Sequence, residues 1–430
     1  MMLPVEFQDE ITHLFGQRRA GGDIVLVMDF DRHLDETRLS RSVALLLEAE
    51  PVLGCRLVET GGALEWRRRD DLECVTRVPV DADAEALVHE LIRPQPEADL
   101  PNIRVRLARG DGGDRVAVAV SHVVADGAAA RNCVQRLAEI YERLGAEPDW
   151  RPQPNPASRD SFAWAKGLGW RRKLAMIGRD IREARAAARP CHGPRRAFAD
   201  MMAAPLDRPA NVRHVVPREV LTRVDAFAAA RKVSRNDLLV TALAQVFPRH
   251  FPGPDRACFR VMLTHDLRRF AEIEARPALC NLGGVAALTL DLPAQGAADQ
   301  VLEVVSRAMA RARDSLSGVP NPLGQRLFAR MGHRRKAALV DKMMTKGFAN
   351  SVAPVLTNVG RLMPSRFRFD GAPPRAMFLV CCANPLPLVV IAVTEYGGAL
   401  TVSMSFQDGE QSHHQVAALL ADLCDHLPTL

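Results

Sequence analysis

A histidine followed four positions later by an aspartate stands at the end of an apolar strand. The stretch 115–127 reads RVAVAVSHVVADG, with His122 directly after Ser121 and with Asp126-Gly127 closing the motif. A side chain at a strand end is held rigidly while its tip stays accessible, which is how a fold presents a base to a cleft. A neutral imidazole also titrates in the range that general-base catalysis needs. His122 is therefore the candidate catalytic base.

Two neighbouring elements would position His122. The segment Ile103–Arg109 alternates apolar and polar residues as a half-buried strand does, and the turn 111–114, Asp-Gly-Gly-Asp, leads into the strand that carries the motif. We expect a hairpin over Ile103–Ser121 that delivers His122. An Ala-rich helix is expected to follow, from Gly127 to about Arg143.

Three other histidines are alternative bases, namely His265, His413 and His414. The last two lie beside Asp408-Gly409 at the start of a predicted surface helix, so we expect both to be exposed. The sequence contains no HExxH motif and no other metal-ligand spacing, and we predict no metal site.

The motif His-x-x-x-Asp-Gly after a strand resembles the signature of the CoA- and carrier-protein-dependent acyltransferase superfamily. This superfamily includes chloramphenicol acetyltransferase, alcohol and wax-ester acyltransferases, and the condensation domains of nonribosomal peptide synthetases. Condensation domains usually carry two consecutive histidines, whereas this chain has Ser121 before His122. That departure is common in the stand-alone acyltransferases.

Segments far from His122 resemble the same superfamily. Pro51-Val-Leu-Gly-Cys-Arg is similar to its N-terminal PxLxxR strand, and Asp266-Leu-Arg268 with Asn281-Leu-Gly is similar to its DLR and NxG segment. Thr357-Asn-Val-Gly is similar to its C-terminal end. The matches are spread over nearly the whole chain, and the His122 motif is the most specific of them.

The resemblance implies an α/β fold with mixed sheets, built as two chloramphenicol-acetyltransferase-like halves in one chain that share an active-site tunnel. The segment Gly145–Pro156 contains four prolines and is the clearest linker in the sequence. We therefore predict an N-terminal half over residues 1–157, which carries the motif, and a C-terminal half over residues 158–430.

The resemblance also implies roles for individual residues. Asp126 would be structural and would pair with Arg268 of the second half instead of orienting His122. Gly127 would permit a close turn and leave room beside the base. Asn358 would donate a hydrogen bond to an oxyanion or to pantetheine, although Thr-Asn-Val-Gly is equally a simple turn.

The implied activity is transfer of an acyl group from a CoA or carrier-protein thioester to the hydroxyl or amine of a small acceptor. The thioester is already activated, so no covalent intermediate is needed, and no GxSxG motif is present to form one. We expect no tightly bound cofactor, because acyl-CoA or an acyl-phosphopantetheinyl carrier protein is the co-substrate. Secondary metabolism and lipid modification are the expected settings. The alternative is a catalytically silent, condensation-like binding or scaffold protein.

The composition limits the classes of molecule that the protein is expected to bind. The net charge is +6 with 25% charged residues, which suits an acidic carrier protein, an anionic surface or nucleic acid. Aromatic residues make up only 5% and are not interleaved with basic clusters, which argues against nucleic acid. The apolar window Met377–Val393 is broken by Asn384, Pro385 and Pro387, so it predicts strands and not a membrane span.

From these features we expect a cytoplasmic monomer without membrane association. The nine cysteines are odd in number and irregularly spaced, which predicts a reducing compartment and no disulfide framework.

The segment 160–189 contains an apolar stripe at helical spacing with basic residues mostly elsewhere. The stripe comprises Trp170, Leu174, Ile177, Ile181, Ala184 and Ala188. We favour a connecting helix that lies across a domain with a solvated basic face. A docking face for a carrier protein or CoA phosphates, and a membrane-surface helix, are the alternatives.

Overall fold

The computed structural model describes residues 2–17, 22–94, 100–193, 203–253, 258–270, 277–293, 297–350, 352–409 and 412–427. Three sheets organise this part of the chain, and two of them are mixed. The strands are β1 (Met2–Pro4), β2 (Asp23–Asp29), β3 (Cys55–Thr60), β4 (Ala63–Arg68), β5 (Val80–Asp81), β6 (Ile103–Gly110), β7 (Gly113–Ser121), β8 (Pro209–Val216), β9 (Cys258–Asp266), β10 (Gly283–Asp291), β11 (Val355–Leu362), β12 (Ala376–Val380), β13 (Val390–Tyr396) and β14 (Ala399–Gln407).

Helices cover the sheets and connect them. The α-helices of the described residues are α1 (Phe7–Gly16), α2 (Glu36–Ala49), α3 (Leu72–Thr76), α4 (Ala84–Ile92), α5 (Gly127–Ala146), α6 (Trp170–Ala187), α7 (Arg218–Arg231), α8 (Arg235–His250), α9 (Ala298–Asp314), α10 (Pro322–Ala329), α11 (His333–Asn350) and α12 (Ser412–Asp425). None of them is long and apolar enough to cross a membrane.

The first sheet has the strand order β12-β2-β7-β6-β5. The strands β6 and β7 form the predicted hairpin, in which Ile103 pairs with Val120. One strand of this sheet comes from far along the chain, because β12 pairs antiparallel with β2 over Ala376–Val380. The first sheet is therefore completed by a segment that follows most of the second sheet in sequence.

The second sheet has the strand order β10-β9-β11-β13-β14-β8. Its centre is parallel, since β11 runs parallel to both β9 and β13, while the outer pairs are antiparallel. A separate core lies on each large sheet. One includes the buried faces of α2 and α5, and the other those of α8, α9 and α12. The predicted mixed α/β fold with two halves is confirmed.

The predicted linker is extended and hydrogen-bonded to both sides. Asn155 donates from its backbone N to Ala49 O at 2.8 Å, and its side-chain nitrogen donates to Glu50 Oε1 at 2.8 Å and to Pro277 O at 3.2 Å. A few residues later, Arg159 donates from Nη2 to Asp9 Oδ1 at 3.0 Å. The boundary at residue 157 stays a prediction.

Three features differ from what the sequence predicts. The helix expected near residues 323–346 is two helices, α10 and α11, separated at Met331-Gly332, where glycine has low helix propensity. Helix α1 was not predicted. A single disulfide joins Cys191 to Cys258, a pair that the cysteine pattern, which argued against a disulfide framework, did not identify. Irregular spacing carries no information about two residues 67 positions apart.

The orientation of α6 also corrects a sequence interpretation. The apolar stripe does not pack on the domain: Trp170, Leu174, Ile177 and Ile181 are exposed, and the buried residues of the helix are Met176 and Arg179. Periodicity identifies the face that is apolar, but it does not show which face contacts the protein.

Candidate active site

The turn after β7 is built around His122, which is partly buried. The backbone N–H groups of Val124 and Ala125 donate to Ser121 O at 3.1 and 3.2 Å, and Val123 N donates to Ser121 Oγ at 3.3 Å. Ser121 therefore stabilises the turn through these hydrogen bonds. It occupies the position at which condensation domains usually carry the first of two histidines. The buried side chains of Val124 and Ala125 anchor the far side of the turn.

Asn281, from the segment before β10, holds the other side of His122. Its Nδ2 donates to the backbone oxygen of His122 at 2.9 Å and to Thr12 Oγ1 of α1 at 3.1 Å, and it lies 3.3 Å from His122 Nδ1. Its Oδ1 accepts from Gly283 N at 3.2 Å. Asn281 is nearly fully buried, so these contacts fix the histidine turn against the second half.

The amide hydrogens of Asn281 bear on whether His122 Nδ1 carries the ring proton. An amide nitrogen has two hydrogens, and the two shorter contacts, to the His122 carbonyl and to Thr12 Oγ1, use both. An amide nitrogen has no lone pair that accepts a hydrogen bond, so a proton on Nδ1 would face another donor 3.3 Å away, and this contact suits an Nδ1 lone pair better than an Nδ1–H. Action of Nε2 as the general base requires the other tautomer, with the ring proton on Nδ1.

Asp126 turns away from His122 and caps α5. Its Oδ1 accepts from Ala129 N at 2.9 Å, and its Oδ2 accepts from Leu282 N at 2.6 Å and from Arg268 Nη1 at 2.8 Å. Arg268 also donates to Asp266 Oδ1 and to the Cys280 carbonyl. The carboxylate thus joins the start of α5 to the second half through a buried ion pair.

The charge on Arg268 is favoured at this position. Burial opposes the charged form, but Asp126 and Asp266 outweigh that effect and raise the pKa of the guanidinium above its ordinary value. The structure therefore places Asp126 beside Arg268 as the resemblance implies, with Leu282 N as an additional partner.

Gly127 and Asn358 lie where the two halves meet. A Cβ on Gly127 would lie 3.1 Å from Val359 Cγ1, so the start of α5 approaches β11 closely. Asn358 Nδ2 donates to Asn236 Oδ1 at 2.8 Å, and its Oδ1 accepts from Gly360 N at 2.8 Å. One Nδ2 hydrogen of Asn358 is left by these bonds, and its contact with an oxyanion or pantetheine stays a prediction.

The competing histidines have other environments. His413 and His414 are exposed, as expected. His265 packs against the loop before α10, since a Cβ on Gly318 would lie 2.7 Å from its Cδ2. Burial, followed by the charge of Arg269, lowers the pKa of His265.

A cavity of about 670 Å³ lies between α5, the Pro-rich segment and the end of β11. His122 is not among its described lining residues. Four arginines and two glutamates line it: Arg131, Arg136, Arg361, Arg366, Glu50 and Glu139. Arginines outnumber glutamates in the lining, so positive charge predominates, although Arg136 pairs with Glu139 at 3.1 Å and Arg361 with Glu395 at 3.3 Å.

Comparison with known proteins identifies the fold. No family model matches the chain, and no curated protein matches it in sequence. Solved structures do match over the whole length. The chain is similar to the first condensation domain of the calcium-dependent antibiotic synthetase, with a TM-score of 0.67, 18% identity, and coverage of 99% of this chain and 96% of that one. The chain has the condensation-domain fold.

Two further solved structures share the condensation-domain fold. The trichothecene 15-O-acetyltransferase from Fusarium sporotrichioides matches with a TM-score of 0.71, 13% identity, and coverage of 99% of this chain and 94% of that one. Polyketide synthase associated protein 5 from Mycobacterium tuberculosis matches with a TM-score of 0.62, 17% identity, and coverage of 98% and 97%. The condensation-like fold that the His122 motif implies is thus confirmed.

Sequence reasoning did not identify Asn281 or Thr12 as site residues. Asn281 was nevertheless visible as the first residue of the Asn-Leu-Gly segment that resembles the superfamily. Thr12 had no such signal, because α1 itself was not predicted.

Proposed function

We propose that this protein is an acyltransferase that moves an acyl group from a CoA or carrier-protein thioester to the hydroxyl or amine of a small acceptor. His122 acts as the general base. The observation that carries the proposal is the placement of His122 at the end of β7, on a partly buried turn that Asn281 of the second half holds in place.

The proposed reaction uses His122 as its one proton-transfer group. Nε2 of His122 removes the acceptor proton while the acceptor oxygen or nitrogen attacks the thioester carbonyl carbon. The tetrahedral intermediate collapses with breakage of the carbon–sulfur bond, and the imidazolium returns the proton to the departing thiolate. The products are an ester or amide and a free thiol, and His122 ends in its starting protonation state.

The donor would bind through its phosphate groups. The arginines of the cavity beside α5 supply the positive charge that CoA or phosphopantetheine requires, and Ala129 on the first turn of α5 links this cavity to the motif. Asn358 is the proposed side-chain contact for the oxyanion or for pantetheine. We place the activity in secondary metabolism or lipid modification, because the similar proteins include an antibiotic synthetase domain and a polyketide synthase associated protein.

Replacing the base tests the proposal directly. Purified protein is incubated with a panel of acyl-CoAs and acyl-carrier proteins and with alcohol and amine acceptors, and ester or amide products are measured by mass spectrometry. We expect His122→Ala to lower turnover by roughly 10²–10⁴ with an unchanged melting temperature, because a positioned general base contributes about that much.

The exposed His414→Ala is the matched control and should retain wild-type turnover. Near-normal turnover of His122→Ala would contradict the mechanism. Absence of products from wild-type protein with every donor would favour the alternative, a silent binding protein with the same fold.

A further inference from the structure

Exposed hydrophobic side chains are concentrated on three helices. Of the thirteen large hydrophobic residues that are exposed in the described part of the chain, eight lie on α6, α10 and α11. These are Trp170, Leu174, Ile177, Ile181, Leu323, Leu327, Leu339 and Met343. Trp170 is 67% exposed and Leu327 is 70% exposed, so neither is covered by the rest of the chain.

Helix α6 presents its apolar face to solvent because its other face is anchored. Trp170, Leu174, Ile177 and Ile181 follow i, i+4, i+7, i+11 spacing and form one row along the helix. The buried Arg179 on the other side donates to the Leu316 carbonyl, and Met176 is buried beside Trp164 and Leu168 in a small core. This attachment fixes the rotation of α6 and keeps the row outward.

The start of α10 contacts α6. Asn321, which caps α10, donates from Nδ2 to Asp180 Oδ2 of α6 at 3.0 Å. Helix α11 packs on α1 through the buried Val340 and Met344, which leaves Leu339 and Met343 on its outer side. We call α6, α10 and α11 together the three-helix surface.

The exposed charges of the three-helix surface have one sign. Nine exposed basic residues lie on these helices and the turn between α10 and α11: Arg171, Arg172, Arg182, Arg185, Arg326, Arg330, Arg334, Arg335 and Lys342. The acidic residues of these helices, Asp180, Glu183 and Asp341, are only partly exposed, and the two on α6 lie beside Arg179. A partner for this surface must therefore be apolar and negatively charged.

We propose that the three-helix surface binds the face of an anionic lipid bilayer. An amphipathic helix with Trp, Leu and Ile on one side and Arg or Lys around them lies in the plane of the membrane interface, with its apolar row among the acyl chains. Arginine stems reach along the apolar surface to the phosphate groups, and tryptophan favours the headgroup level. This inference replaces the expectation from the sequence that the protein does not associate with a membrane.

Two other occupants fit the surface less well. A second copy of this chain would bring like charges together, which opposes association. An acidic carrier protein has the right charge, but the apolar residues of α6 form a row that projects outward from a convex helix and does not line a groove. A row of that kind enters a fluid interface more readily than it fills a protein surface.

Sedimentation with vesicles tests the proposal without any substrate, so the result does not depend on the chemistry at His122. We expect binding to vesicles of equimolar phosphatidylglycerol and phosphatidylcholine, weaker binding to phosphatidylcholine alone, and loss of binding at high salt. Trp170 fluorescence should shift to the blue on binding and be quenched by brominated lipid. The shift should disappear in Trp170→Phe.

Paired variants separate the apolar row from the charge. Ile177→Gln with Ile181→Gln should weaken binding roughly tenfold or more, because two apolar side chains no longer enter the interface. Val215→Gln, which changes an exposed hydrophobic residue on β8, is the control and should bind as wild type does. All three residues are exposed, so melting temperatures should not change.

The charge variants follow the same design. Arg182→Gln with Arg185→Gln should weaken binding, whereas Arg223→Gln with Arg311→Gln removes the same charge from exposed positions on α7 and α9 and should not. Equal effects of the two arginine pairs would overturn the proposal, as would absence of binding to anionic vesicles or wild-type binding of the isoleucine variant. Self-association or carrier-protein binding that depends on Ile177 and Ile181, without vesicle binding, would also overturn it.

Discussion

The side chain that lies 3.3 Å from Nδ1 of the candidate base is an amide and not a carboxylate. In triad-like sites a carboxylate orients the histidine. Here Asp126 binds Arg268, and Asn281 lies beside His122 Nδ1. An uncharged neighbour positions the imidazole without favouring its protonated form, which suits a base that must start neutral.

Changing Asn281 tests this positioning role. In Asn281→Asp a carboxylate would lie near Nδ1 and favour the imidazolium, so the acidic limb of the kcat/KM profile should move to higher pH. Asn281→Ala should lower kcat about tenfold or more without moving that limb, because it only loosens the turn.

Asn211→Asp is the control, since Asn211 donates to the Met404 carbonyl in the second sheet. A uniform loss of activity at every pH in Asn281→Asp would show that Asn281 supports the fold and does not act on His122.

The ion pair of Asp126 and Arg268 predicts a stability phenotype. Removing one partner leaves the other buried and unpaired, at a cost of about 3–5 kcal/mol in the free energy of unfolding. Asp126→Ala and Arg268→Ala should therefore each lower the melting temperature, and the double variant should lose less stability than the two single variants combined. Normal melting of Asp126→Ala with abolished turnover would make Asp126 a direct catalytic partner.

Only one of the two sets of side-chain contacts at the site could be predicted from the sequence. The pairing of Asp126 with Arg268 followed from resemblance, because both lie in segments that match the superfamily. The contact of Asn281 with His122 and Thr12 joins three positions that no spacing rule connects. It depends on how the two halves pack, which local patterns do not encode.

At the scale of elements, most strands and helices were predictable because each has its own hydrophobic period. The hairpin that carries His122 and the helix after Gly127 formed as expected. The predicted orientation of α6 was wrong because the helix docks through the buried Met176 and Arg179 and not through its row of four large apolar residues. A pattern of hydrophobicity does not predict that a charged residue will be buried with carbonyl and carboxylate partners.

The junction around His265 predicts a dependence of stability on pH. His265, near the end of β9, has a pKa lowered below its ordinary value of 6.5, first by burial and then by Arg269. Its neutral form is therefore favoured in the folded state, so stability is fully present above the ordinary value and is lost as pH falls below it.

We expect the melting temperature to fall from about pH 7 to about pH 5, and to fall less in His265→Gln. His414→Gln, at an exposed position, should keep the wild-type slope. An identical slope in His265→Gln and wild type would contradict the assignment.

At the scale of the molecule, the two halves are joined by more than the Pro-rich segment. Strand β12 pairs with β2 in the first sheet, and Arg159 binds Asp9 of α1. Burial raises the pKa of Asp9, and Arg159 and Trp66 offset part of this effect by bonding to the carboxylate. These contacts hold residues from both predicted halves together.

Cleavage of the Pro-rich segment should therefore not separate the halves. A site for a specific protease inserted after the exposed Asp149 would allow one clean cut. The two fragments should elute together in size-exclusion chromatography with the melting temperature of the uncut insertion variant. Fragments that separate without denaturant would show that the pairing of β12 with β2 contributes little to holding the two halves together.

The position of β12 also determines when the first sheet can be finished during synthesis. Strand β2 ends at Asp29 and β12 begins at Ala376, so β2 keeps an open edge while the intervening chain is made. At about 5–20 residues per second this takes on the order of tens of seconds. An open, apolar strand edge pairs readily with other chains. The segment that carries His122 therefore emerges from the ribosome long before β12 can pair with β2. If that segment were made alone, the edge of β2 would stay exposed.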